Sequence, residues 1–188
     1  MLRILIKNWR KFMIFFDTET TGLIKNVALP LSRQPRIIEI GCIKEPRPDE
    51  APYHFETTFN PGVKLDPVIT KITGLIDKDL EDSPKFYEEL PGLCDFFRGE
   101  KTMVAHNMPF DFQMLLFELK RESAEYKFPW PSKHIDTVEL AKPFYNGRFM
   151  KLSKLYEDLI GPIEQTHRAI DDAEMLMKVY HALIVKKL

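Results

Sequence analysis

An apolar run that ends in two acids, Met13-Ile14-Phe15-Phe16-Asp17-Thr18-Glu19, constrains this chain more than any other segment. A short, bulky apolar run bounded by polar turn residues reads as a buried strand. Residues two apart in an extended backbone share a face, so Asp17 and Glu19 stand side by side where that strand ends. Like charges at that spacing repel, so a cation lies between them or one of them holds a proton at neutral pH. For an isolated D-x-E a solvated strand end before the Thr20-Thr21-Gly22 turn is the simpler account, and the remaining sequence has to decide.

Three β-rich runs come first, FMIFFD, RIIEIGCI and YHFETTF, separated by segments containing Gly22, Pro30, Pro35, Pro46, Pro48 and Pro52. Such short links predict an antiparallel meander. Pro61-Gly62 ends the third run, and ITKITGLIDKDL reads as short helical turns before a helix over about 84–97. TMVA, short and apolar, predicts a buried strand, and Pro109 in a first helical position opens a helix to about 121. Further helices are expected near 136–143, 151–159 and 168–187. Strands first, then strand alternating with helix, give an α/β sandwich around a mixed sheet.

At 188 residues with 44% hydrophobic content, the chain fills one core rather than two. The domain is expected over 13–188, with residues 1–12 as an N-terminal extension, packed or frayed. Leu2, Leu5, Ile6, Trp9 and Phe12 recur there at helical spacing, but Arg3, Lys7, Arg10 and Lys11 interrupt them. Neither a secretory signal nor a membrane span is expected, and the reading is cytoplasmic. Lys+Arg 27 against Asp+Glu 28 give a formal charge of −1, so a nucleic-acid role needs a local site rather than a global basic field. Cys42 and Cys94 lack metal-type spacing and read as reduced core residues.

Two further acidic sites bear on the opening pair. Asp111 stands in the first turn of a predicted helix, after a strand end and the pair His106-Asn107. Alone, such an acid is a favourable partner for the helix dipole. His167 precedes a helix whose apolar stripe is Ala169, Ala173, Leu176, Tyr180 and Leu183. Asp172 lies one turn before Leu176 on that inward face, whereas Asp171 aligns with Met175 and Lys178 toward the polar side. Four carboxylates and one histidine, each at an element end, suit the hard cations Mg²⁺ or Mn²⁺. Two such ions about 3.5–4 Å apart bind the attacking and leaving oxygens of a phosphoryl displacement. Their charge also relieves the repulsion between Asp17 and Glu19.

FFDTETTGL, AHNMPFDFQML and HRAIDDAEML resemble, in order and spacing, the three signature segments of the DnaQ-like DEDDh exonucleases, the family that includes the proofreading subunit of bacterial replicative polymerase. TTFNPGVKLDPVITKITGLID, HIDTVELAK and KLSKLYEDLIG resemble its intervening segments, so the likeness runs from about Met13 to Tyr180. It implies a ribonuclease H-like fold, with a central mixed five-stranded sheet (antiparallel meander, then β-α-β) flanked by helices. It further implies two Mg²⁺ or Mn²⁺ ions bridged by Asp17, with Glu19 and Asp172 completing their shell and Asp111 holding the second through water. His167, in place of the tyrosine of a sister subfamily, would be the general base. Thr18, Thr20, Leu23, Thr73, Asn107 and Phe110 would contact the terminal nucleotides, and Thr73 stands where several relatives carry histidine.

The reaction so implied is hydrolysis from a 3′ end to nucleoside 5′-monophosphates. Single-stranded DNA is the expected substrate, with RNA trimming, or a catalytically silent interaction module on the same fold, as the alternatives. D-T-E-T-T after an apolar strand also resembles aspartyl-nucleophile phosphatases, but the later acidic G-D-x-x-x-D segment they need is missing. Polymerase-bound relatives commonly extend beyond the last helix; a chain stopping at Leu188 points to a stand-alone nuclease, with a polymerase partner not indicated.

Overall fold

The computed structural model describes residues 13–45, 52–163 and 165–187. The N-terminal extension expected over residues 1–12 lies outside the described residues. Five strands form one sheet: β1 (Met13–Thr20), β2 (Ile37–Lys44), β3 (Tyr53–Thr58), β4 (Thr102–Ala105) and β5 (Lys133–Asp136), in the order β3-β2-β1-β4-β5. The first three make the expected antiparallel meander, with Phe16 opposite Cys42 and Cys42 opposite Phe55. β4 and β5 then add parallel to β1, Phe15 opposite Val104 and Ala105 opposite Asp136. Parallel pairing needs crossover connections, and helices supply them.

Those helices are α1 (Pro67–Thr73), α2 (Asp77–Glu81), α3 (Phe86–Phe97), α4 (Met108–Arg121), α5 (Thr137–Ala141), α6 (Leu152–Leu159) and α7 (Ala169–Lys187). Both faces of β1 are covered, which is why its apolar residues run consecutively rather than alternate. Ile14 and Phe16 enter one core with Phe97, Met114 and Leu115, while Phe15 enters the other with Leu155, Ala173 and Leu176. Cys42 and Cys94 are free, in β2 and α3, the first buried and the second half-buried. Among the described residues no helix is long and apolar enough to cross a membrane.

One stretch departs from the sequence expectation. The helix expected near 136–143 is present as α5 followed by a 3-10 turn over Lys142–Phe144, but a strand that the sequence reading did not place comes before it, because Lys133–Asp136 pairs along the whole of β4. The Asp136 carboxylate then accepts from Val138 N at 2.9 Å, capping α5 and fixing where the helix starts.

Candidate active site

Asp17 and Glu19 leave β1 on the face that α7 covers, sharing it with Phe15 by strand alternation. Between them Thr18 turns the other way and binds a third acid. Its backbone N and its hydroxyl donate to Asp111 Oδ1 at 3.0 and 2.8 Å. Asp111 is 3% exposed in the first turn of α4, and that turn is set by Asn107, whose left-handed backbone (φ 68°) lets the chain reverse from β4 into the helix. Asn107 N donates to Asp136 Oδ1 at 3.0 Å, so the end of β5 steadies the turn.

The fourth acid comes from α7 with the phase its apolar stripe predicts. Asp172 is 5% exposed and accepts from Gln165 Nε2 at 2.9 and 3.0 Å, whereas Asp171 is exposed and accepts from Thr166 Oγ1. His167 precedes the helix with a left-handed backbone (φ 54°). One ring nitrogen of His167 and one carboxylate oxygen each of Glu19 and Asp172 lie within 4.8 Å of one another.

A fifth acid, Glu39, holds α7 in place. It is 2% exposed in β2, opposite Glu19 in the register, and accepts from Arg168 Nε at 2.9 and 3.1 Å, from Arg168 Nη2 at 2.6 Å and from Ala169 N at 3.2 Å. The helix start presses so close to β2 that a Cβ on Gly41 would fall 2.2 Å from the Ala169 carbonyl carbon. Sequence reasoning passed over both members of this ion pair. The available signal was an acid inside the apolar run Arg36-Ile37-Ile38-Glu39-Ile40, which needs a buried partner.

Burial and mutual repulsion disturb the acids strongly. Asp17 is raised well above the ordinary range, first by desolvation and then by Asp111, Asp172 and Glu19. Desolvation, with Asp172 and Glu39 behind it, lifts Glu19 from 4.5 to about 8, and Arg168 offsets only part of this. Asp111 rises to about 7 by desolvation, against the hydrogen bonds from Thr18. Asp172 is raised for the same first reason, opposed by Gln165 and His167. Four carboxylates that cannot all ionise together are a donor set for hard divalent cations, and the nearby positive charge of Arg168 is spent on Glu39.

The residues expected at the terminal nucleotides fall into two groups. Leu23 is 78% exposed and Asn107 is exposed, while Phe110 is half-buried against the core beside Asp111. The three threonines spend their hydroxyls internally: Thr18 on Asp111, Thr20 on Gly22 O at 2.9 Å, and Thr73 on Ile69 O at 3.0 Å while accepting from Leu75 N.

The family model of the RNase T exonucleases matches residues 14–180. The DNA polymerase III epsilon subunits of Rickettsia typhi and Treponema pallidum are 33% and 32% identical; each match covers 90% of this chain, and 72% and 74% of those proteins. The PolC-type DNA polymerase III of Caldanaerobacter subterraneus is 30% identical over 92% of this chain, which spans only 12% of that protein's length. Among solved structures, the nuclease domain of 3′hExo, a DEDDh family member bound to rAMP, superposes with a TM-score of 0.73 at 17% identity, covering 93% of this chain and 92% of that one. Exonuclease X in complex with 5′ overhanging duplex DNA gives 0.61 at 21% identity, covering 93% and 89%. These two share the fold. A family match across nearly the whole sequence, with its signature acids gathered at one end of the sheet, makes the chain a member of the DnaQ-like DEDDh exonucleases, a family of nuclease hydrolases.

Proposed function

We propose that the chain hydrolyses single-stranded DNA from its 3′ end, releasing nucleoside 5′-monophosphates, with two Mg²⁺ or Mn²⁺ ions at the carboxylates. The observation that carries this reading is the set of four mutually repelling acids, Asp17, Glu19, Asp111 and Asp172, beside a histidine. Asp17 and Glu19 would reach the ions from β1, Asp172 from α7, and Asp111 through water from α4. Bound there, the ions would offset negative charge on the attacking and leaving oxygens of the displacement. His167 takes the proton of the attacking water at a ring nitrogen and, once protonated, is held by Glu19 and Asp172. Thr18 keeps Asp111 aimed, Gln165 orients Asp172, and the Glu39–Arg168 pair fixes the start of α7 on which His167 and Asp172 depend. The closeness of His167 to two carboxylates also supports a second reading, in which its ring is itself a metal ligand.

DNA is preferred to RNA because the relatives at this identity are DNA polymerase III epsilon subunits, and association with a polymerase is the partnership that likeness suggests. Matched 3′-labelled DNA and RNA oligomers, digested with Mg²⁺, with Mn²⁺ and with chelator, test the proposal. The expected products are 5′-monophosphates from DNA, formed only with added metal and lost in Asp17→Asn. Metal-independent hydrolysis, or full activity in that variant, refutes it.

A further inference from the structure

We propose that residues 146–151 form a track for the nucleic-acid strand just upstream of its 3′ end, with Phe149 stacking on a base and Arg148 and Lys151 meeting phosphates. The inference rests on the nuclease reading and names a contact outside the metal-binding acids. Its first support is position. Val104 lies opposite Phe15; Asp17 stands two residues beyond Phe15 in β1, and His106 two residues beyond Val104 in the turn that follows β4. Tyr145 and Met150 pack into the same core as Phe15, Val104, Ala173 and Leu176, the core under the helix that carries Asp172. The segment therefore flanks the acids on their own face of the sheet.

The second support is how it is held. His106 Nε2 lies 2.9 Å from Met150 O, and Nδ1 lies 2.9 Å from Thr137 Oγ1. A carbonyl only accepts, so Nε2 carries the hydrogen and the ring pins the segment to the end of β4. On the other side Gly147 N donates to Lys142 O at 2.9 Å, and Asn146 (φ 55°) and Gly147 (φ 75°) make the left-handed reversal that carries the chain outward. Between the anchors Phe149 sits edge-on to His106, ring centroids 6.0 Å apart, yet stays 59% exposed. A bulky aromatic fixed at its base and open to water is a stacking platform, and base–aromatic stacking tolerates any sequence.

The third support is charge. Lys142 pairs with Glu139, and Lys154 with Glu157 and Asp158. Arg148 and Lys151 are exposed and make no ion pair among the described residues. A polyanion approaching four acids on a chain of net charge −1 is repelled unless cations lie beside its path. These two are so placed.

Binding of a fluorescent single-stranded oligonucleotide, followed by anisotropy across salt concentrations in an Asp17→Asn background, tests the track. Phe149→Ala should weaken binding roughly 5-fold to 150-fold with the salt slope unchanged. Arg148→Gln with Lys151→Gln should reduce the slope of log affinity against log salt by about 1.4, two phosphates at roughly 0.7 each. Arg98→Ala, at the entry to β4 and so at the other end of the sheet, is the control and should change neither. All four positions are exposed, and unchanged thermal unfolding establishes that the variants fold. If oligomers are digested by the unsubstituted chain and bound equally by the track variants, the track is refuted alone. If the unsubstituted chain neither binds nor digests them, both it and the nuclease reading fall.

Discussion

Raising the pH with the divalent ion stripped away should destabilise the protein, and Glu19 sets the size of the effect. Its folded carboxyl titrates near 8 against an ordinary 4.5, so between those values the folded chain binds more protons than the unfolded one. Stability contributed by that retained proton is fully present below the unfolded value and is lost as pH rises through the folded one. From pH 5 to pH 8 Glu19 alone forfeits roughly 3 kcal/mol, at about 1.36 kcal/mol for each unit of pKa difference. For a chain of this size that corresponds to a fall in Tm of roughly 6–12 °C. His106 works against it, since burial pushes its pKa down and makes low pH costly, but it contributes equally to any variant that leaves it in place. The assay is therefore thermal unfolding of the unsubstituted chain and Glu19→Gln in chelator at pH 5 and pH 8. The variant should lose the Glu19 share of the slope, and excess Mg²⁺ should restore the unsubstituted chain at pH 8 by binding the ionised acids. Equal slopes in the two chains would refute the account of Glu19 as a destabilised, cation-seeking carboxylate.

Asp172→Asn should abolish turnover while Asp171→Asn leaves most of it, because only Asp172 faces inward; steady-state hydrolysis of a labelled oligomer compares them, and the reverse ranking would break the helical phasing. His167→Ala should cut the single-turnover rate roughly 10²–10⁴-fold and remove a rise of rate with pH, whereas a ligand role would show as weaker metal binding instead. Gly41→Ala places a Cβ against the Ala169 backbone and should cost more than the 1–3 kcal/mol typical of overpacking, read by denaturant unfolding; a neutral substitution would mean that α7 sits further from β2.

What the sequence made legible was whatever repeats locally. The meander followed from three apolar runs joined by proline-rich links, and the inward phase of Asp172 followed from the stripe at Ala173, Leu176 and Leu183. β5 was hidden because it is four residues long, with Lys133 and His134 exposed; its strand character comes from pairing with β4, not from its own composition. The resemblance to a family named residue types at the terminal nucleotides without revealing that the hydroxyls of Thr18, Thr20 and Thr73 are already engaged within the chain.

Glu39 marks the deeper limit. Its partner Arg168 lies 129 residues away, so no window of sequence contains both, and each alone looks ordinary: an acid in a strand, an arginine before a helix. Yet the pair explains two features that local reasoning treats as unrelated. Glu19 and Glu39 stand opposite each other, so Glu39 is a fifth charge beside an overcrowded site, and Arg168, bidentate on it, offsets part of its effect. The same guanidinium and the Ala169 N–H tie the first turn of α7 to β2 across Gly41, where no side chain fits. The clamp thus gives Glu39 a cation of its own within the chain and leaves Asp17, Glu19, Asp111 and Asp172 as the acids without one.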